Sequence, residues 1–297
     1  MAPIFTGGKF GFARVIAAAA GDSAPAGYAT IATATGGLPI LNTTGTYGDT
    51  LDSGVRSDSF ASNLVWAVPL GTSSGLNFTD QSPTGRSSSL YNITNGSPSI
   101  ASNTSAGNFQ FYGGSAKFSG GAQGSYSTSV WSALGSGQWT IEMWIKIPTG
   151  QTQTPGYGAT VISCGSAFNN NAGLYSVGIS GGDNSLPQLS FGLIGGSTHY
   201  ITAAKDGVVG PAPLGNWMHI AQTKDGSNNI RTYYDGTKVA QSNSSQGITN
   251  INQGLIGGQY YGAYASYVDF YLQDVRMYNT AKYTSDSFTV VAPPNLR

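Results

Sequence analysis

From about residue 60 onward, apolar and polar residues alternate with a period of two. The clearest stretch is Trp139-Thr140-Ile141-Glu142-Met143-Trp144-Ile145-Lys146-Ile147, in which every odd-numbered position is apolar and Thr140, Glu142 and Lys146 share the other face. Successive side chains on a strand point to opposite sides, so the pattern predicts a strand packed on one face. Comparable runs lie at 64–70, 109–112, 116–118, 160–164, 175–179, 188–194, 217–223, 230–234, 255–257 and 267–278. Turn-rich stretches separate them at intervals typical of a β-sandwich. The run from Arg231 to Ala240 reads as a hairpin turning on Asp235-Gly236, a pair suited to the left-handed backbone of a tight turn. Helix signals are weak: the longest candidate is the alanine tract at 15–20, and Gly21 ends it within two turns.

The first 60 residues read differently. Large apolar side chains are sparse there, too few for an independent core. Such a segment must be held by its own sandwich or by a neighbouring subunit. The neighbour is the favoured reading, which makes the segment an irregular attachment arm with Phe5, Lys9, Phe10, Phe12 and Arg14 as docking residues. The expected division is an arm over 1–60, one sandwich over 61–290 and a tail over 291–297. The stretch Val15-Ile16-Ala17-Ala18-Ala19-Ala20 makes a poor signal-peptide core, because it is short and Lys9 and Arg14 sit late.

Composition narrows the function classes. Only 9% of residues are charged, against about 25% in an average globular domain. Disorder does not follow, because 17 Tyr, 12 Phe and 5 Trp are more aromatic mass than a disordered chain carries. Net charge is zero and no stretch is basic, so nucleic-acid binding by phosphate neutralisation has no means. No apolar run approaches the roughly 18 residues of a membrane span, so insertion is not expected. Cys164, the single cysteine, leaves no intrachain disulfide or Cys-based zinc site and reads as a small core residue at a strand end.

Five stretches, in order across about 180 residues, resemble the concanavalin A-like, laminin-G-like jelly-roll family. They begin at Phe111-Tyr112-Gly113-Gly114, Gly137-Gln138-Trp139, Leu214-Gly215-Asn216-Trp217, Tyr234-Asp235-Gly236 and Gln273-Asp274-Val275-Arg276. The resemblance implies an all-β, antiparallel jelly-roll β-sandwich with a short irregular N-terminal arm. It also implies that Trp144 and Trp217 fill the space between two sheets, and that Asp274 and Arg276, two apart on one strand, form a structural network. The Tyr-Asn-Thr-Ala-Lys-Tyr run near the end and the Gly/Ala-rich leader resemble accessory structural proteins of tailed bacteriophages, marine ones especially. That style implies a virion protein displayed on the particle, as a capsid decoration, head fibre or tail fibre. Its partners would be other virion proteins and further copies of itself, with cell-surface glycans as ligands. The alternative is a free carbohydrate-binding lectin module.

Catalysis is not expected. Some relatives on this fold cleave glycans, and a glycosidase normally needs two carboxyl groups flanking the bond. The chain has one glutamate, Glu142, with Thr140 and Trp144 beside it on the same face. Asp269 and Asp274, five apart on one strand, are expected to face opposite sides. His199 and His219 stand isolated in the sequence, and no nucleophile elbow, phosphate loop or zinc cluster is present.

Two places are candidates for binding. The loop Gly258-Gln259-Tyr260-Tyr261-Gly262-Ala263-Tyr264-Ala265-Ser266-Tyr267 could offer flat stacking surfaces at low entropic cost through Tyr260, Tyr261, Tyr264 and Tyr267. The same tyrosines would equally serve to pack against the core or a neighbouring subunit. Asn169-Asn170-Asn171 with Asp183 and Asn184 are candidate oxygen ligands for calcium, although the usual run of acidic ligands is missing. No other cofactor is expected.

Overall fold

The computed structural model describes residues 58–72, 74–83, 85–86, 99–119, 122–151, 158–164, 175–181, 187–195, 198–200, 208–211, 214–249, 251, 254–257 and 268–290. In chain order the strands are β1 (Leu64–Val68), β2 (Leu70–Thr72), β3 (Gly75–Asn77), β4 (Ser99–Asn103), β5 (Ser115–Ser119) and β6 (Gln123–Tyr126). A short helix α1 (Ser129–Leu134) leads into β7 (Trp139–Lys146), followed by β8 (Gly158–Ser163), β9 (Tyr175–Gly181), β10 (Pro187–Gly195), β11 (Thr198–Tyr200) and β12 (Val208–Pro211). The chain continues through β13 (Trp217–Lys224), β14 (Asn229–Tyr234), β15 (Thr237–Asn243), β16 (Gly254–Gly257) and β17 (Phe270–Tyr278).

Among the described residues these strands make two large antiparallel sheets and a small ribbon. One sheet runs β15-β14-β13-β7-β17-β5-β4, with β1 also on β17. The other runs β11-β10-β9-β8-β16-β6, with β12 on β10, and β2 pairs β3. Neighbours such as β7 and β17 are distant in sequence, the mark of a jelly roll rather than a meander. The expected all-β sandwich is the observed fold.

The alternation of β7 sorts the two faces as the sequence predicts. Ile141, Met143 and Ile145 are buried between the sheets with Ile220, Leu272, Val275 and Met277 from the flanking strands and Val161, Val177, Leu189 and Phe191 from the opposite sheet. Trp66 and Tyr126 stack with ring centroids 4.7 Å apart, tying β1 to β6. Trp139 meets Tyr175 edge-on at 5.2 Å and joins β7 to β9 of the opposite sheet. The Cys164 thiol is buried and accepts the Tyr175 N–H at 3.0 Å. Burial pushes that thiol up to about 11, so it is a core side chain and not a nucleophile.

Trp144 and Trp217 do not fill the inter-sheet space. Both lie on the outer face of the eight-stranded sheet and are half-buried, because Trp144 shares the even-numbered side of β7 with Glu142 and Lys146. The large rings between the sheets are Trp66, Trp131 and Trp139. Residues 109–112 form no strand: they bend over the outer face, with Tyr112 at φ 60. Helix α1, with Val130, Trp131 and Leu134 buried, had no clear sequence signal. Its single turn and a half is too short to show a helical period.

The hairpin is as expected. Tyr234 pairs with Thr237, and Asp235 (φ 44) with Gly236 (φ 78) makes the turn, the left-handed pair of a type I′ loop. Strand β17 is interrupted between Gln273 and Arg276. Asp274 there has φ 54 and its N–H bonds Pro69 O at 3.2 Å, so this is a bulge. The period-two argument that set Asp269 and Asp274 on opposite faces therefore fails across it.

Candidate functional site

Cross-strand registry builds a grid on the outer face of the larger sheet. β7 is the middle column, β13 and β17 its flanks. The rows are Trp217–Lys146–Tyr271, His219–Trp144–Gln273, Ala221–Glu142–Arg276 and Thr223–Thr140–Tyr278. From the first row to the fourth is six residues, about 20 Å of strand.

The last two rows are sealed by the chain after β17, which folds back across the sheet as a strap. Thr140 donates to Thr280 O and Thr223 to Tyr283 O, both at 2.8 Å. The strap is pinned at its far end by a bridge between Thr237 and Ser287 and by the edge-on contact of Phe288 with Tyr233 of β14 at 5.3 Å. Under it lies Glu142, 4% exposed. Lys282 Nζ donates to Oε1 at 2.8 Å and the Tyr283 hydroxyl to Oε2 at 2.6 Å. Asp58 extends the cluster, accepting the Tyr278 hydroxyl at 2.6 Å.

Burial alone would push the Glu142 carboxyl up, but Lys282, His219 and Arg276 outweigh it and hold the group well below the usual carboxylate range. A general acid needs the opposite shift. The single glutamate is thus an ionised structural anchor. His219, isolated in sequence, is not isolated in space: its Nε2 lies 3.7 Å from Glu142 Oε2, and its ring sits between Trp144 and Phe288 at 5.4 and 5.9 Å. Sequence distance hid this neighbour, and the grid registry of β7 and β13 produces it.

Asp274 and Arg276 form the structural network implied for them. Asp274 Oδ1 accepts from Arg276 Nε and Nη2 at 3.0 and 2.8 Å and from the Tyr112 hydroxyl at 2.9 Å. Asp269 pairs instead with Lys117 at 3.5 Å, so the two aspartates serve different partners. Gln273 accepts the N–H groups of Gln110 and Phe111 at 2.9 and 3.0 Å and donates to Gly114 O at 2.5 Å, holding the 110–114 loop over the second row.

Between that loop and the strap the first rows stay partly open. Trp144, Trp217 and Phe111 are half-buried. Phe111 meets Trp144 edge-on at 5.2 Å, and Trp217 lies 6.5 Å from Tyr271. Lys146 Nζ sits 5.8 Å above the Tyr271 ring. Half-buried rings beside fixed polar groups suit a ligand with both a hydrophobic face and hydroxyls. This patch was not singled out from sequence, because Trp144 and Trp217 were read as core.

The tyrosines Tyr260, Tyr261, Tyr264 and Tyr267, the calcium candidates Asp183 and Asn184, and the arm residues Phe5, Lys9, Phe10, Phe12 and Arg14 all lie outside the described residues. So do His199's side chain and the alanine tract. Among the described residues no three His, Cys, Asp or Glu side chains converge as metal ligands. No helix among them is long and apolar enough to cross a membrane.

A family model described as the concanavalin A-like lectin/glucanases superfamily matches residues 118–286, more than half of the chain. The chain belongs to this superfamily. Several solved structures are similar. The binding domain of Paraclostridial Mosquitocidal Protein 1 is similar at TM-score 0.50 and 14% identity, over 75% of this chain and 50% of that one. The binding domain of botulinum neurotoxin DC, in complex with rat synaptotagmin II, is similar at TM-score 0.46 and 16% identity, over 77% and 50%. That of botulinum neurotoxin serotype C1 is similar at TM-score 0.45 and 17% identity, over 75% and 50%. The chain spans about half the length of these structures. No curated protein matches the sequence.

Proposed function

We propose that the chain is a non-catalytic, glycan-binding member of the superfamily, carried as a structural protein on the surface of a tailed-phage virion. The observation that carries the binding half is the state of Glu142. The one glutamate of the chain is buried, paired with Lys282 and bonded by Tyr283, so the first rows of the outer face offer a ligand their rings and this carboxylate is not available to it. The virion half rests on the resemblance of the leader and the C-terminal run to phage accessory proteins. On this reading residues 1–60 dock the module to head or tail, further copies complete the assembly, and the sandwich faces outward.

The grid supports such a polarity. Asp58 enters at the Thr140–Tyr278 end of the outer face, where it pairs with Lys282 at 3.7 Å. The half-buried aromatics lie at the opposite end, about 20 Å along the strands.

The test is a phage genome lacking codons 1–55 of this protein, with particles probed by antibody to the sandwich. Loss of the protein from otherwise intact particles supports docking by the arm. Retention sinks it. Glycan-array binding by the purified chain, with no incorporation into any particle, would favour the free lectin module.

A further inference from the structure

The first row of the grid differs electrostatically from the rest. On the described part of this sheet Lys117 pairs with Asp269, Arg231 with Asp225, Arg276 with Asp274, and Lys282 with Glu142. Lys146 has no carboxylate partner among the described residues: its Nζ bonds Gly107 O at 2.7 Å and Asn108 Oδ1 at 3.1 Å, both neutral. It stands near the surface between Trp217 and Tyr271 in the same row. A cation held by neutral oxygens beside aromatic rings keeps its charge available to a ligand.

Two further atoms of the same strand face lack partners. Trp217 Nε1 and His219 Nδ1 are buried without a hydrogen-bond partner, as are the indole nitrogens of Trp66, Trp131 and Trp139 in the core. Trp217 and His219 lie two residues apart on β13, directly across from Lys146 and Trp144. Rings for the apolar face of a pyranose and a cation without a carboxylate partner among the described residues lie together within two rows, beside two buried nitrogens that have no partner.

We infer that the Trp217–Lys146–Tyr271 row, with Trp144, is a binding subsite for a sugar carrying a carboxylate. The inference rests on the glycan-binding reading above and names the ligand class and the residues. The carboxylate pairs with the Lys146 ammonium, and the sugar ring lies against Trp144 and Trp217. Glu142 takes no part, being already neutralised beneath the strap.

The experiment is an array of uronic-acid oligosaccharides, each printed beside its carboxyl-reduced counterpart, probed with the full chain and four variants. The expected result is retention on the acidic member of a pair, at least tenfold weaker on the reduced member. K146Q should lose the preference by about the same factor while K146R keeps it, and W217A should weaken both members. Thermal melts of each variant separate lost binding from lost folding. Binding of neutral glycans only, or acidic binding unchanged in K146Q but abolished in Y260A/Y261A, overturns the subsite and leaves glycan binding standing. No retention of any glycan by the wild type removes the glycan-binding reading itself.

Discussion

The Tyr283 hydroxyl donates to Glu142 Oε2 at 2.6 Å, so the one glutamate of the chain is spent on fastening a strap to a sheet. Lys282 on the same strap neutralises it at 2.8 Å. Removing the carboxylate would leave the Lys282 ammonium, 13% exposed at its side chain, with the Tyr278 hydroxyl at 3.2 Å and, as its one remaining carboxylate among the described residues, Asp58 at 3.7 Å. Glu142→Gln is expected to cost about 3–5 kcal/mol, the usual penalty for breaking a buried ion pair from one side. Urea denaturation at neutral pH measures it; a change under 1 kcal/mol would contradict the anchor role.

The same carboxylate sets a pH dependence. Its folded-state value is depressed, so its contribution is complete above the unfolded value of about 4.3 and is lost as pH falls through the lower folded value. The melting temperature of the wild type should therefore drop steeply below about pH 4. The difference between wild type and E142Q should shrink over that same range. Parallel curves for the two proteins would show that Glu142 is not the titrating anchor.

The face assignment of the tryptophans has a direct consequence. Trp66 is 1% exposed and stacks on Tyr126 between the sheets, whereas Trp217 is half-buried on the outside. Trp66→Ala should cost about 3–5 kcal/mol, and Trp217→Ala roughly 1 kcal/mol. Comparable losses in chemical denaturation would mean that Trp217 sits in the core after all.

Gly236 is required for two reasons. Its φ of 78 belongs to the left-handed region, and a Cβ there would collide with the Phe288 carbonyl oxygen. The strap passes over the hairpin at this point through the bond from Phe288 N–H to Gly236 O at 2.8 Å. Gly236→Ala is expected to destabilise by about 2 kcal/mol or more and to raise hydrogen exchange at Phe288. Unchanged exchange there would contradict the coupling between hairpin and strap.

The sandwich was legible because its long strands carry a strict period of two, best in Trp139 to Ile147. The same period, applied to Trp144, places that ring outside; reading it as core followed ring size and family resemblance against the parity of its own strand. The bulge at Asp274 was not legible, since no spacing rule announces a residue that drops out of register. The Glu142 cluster was invisible for a different reason. Asp58, His219 and Lys282 are brought to it by strand order and by a strap that folds back, and neither is written in local pattern. What the sequence did carry was the scarcity of acid: one glutamate limited the chemistry before any contact was known.

Bind without cleaving is the central claim, and mass spectrometry of bound glycan tests it most directly. The full chain would be incubated for a day with the oligosaccharides it retains on the array, and the sugar then recovered and weighed. The account expects retention with every oligosaccharide at its original mass, in wild type and in K146R alike. Shortened products from the wild type that vanish in E142Q would contradict it, because a buried, ionised, strap-bound glutamate cannot act as the acid.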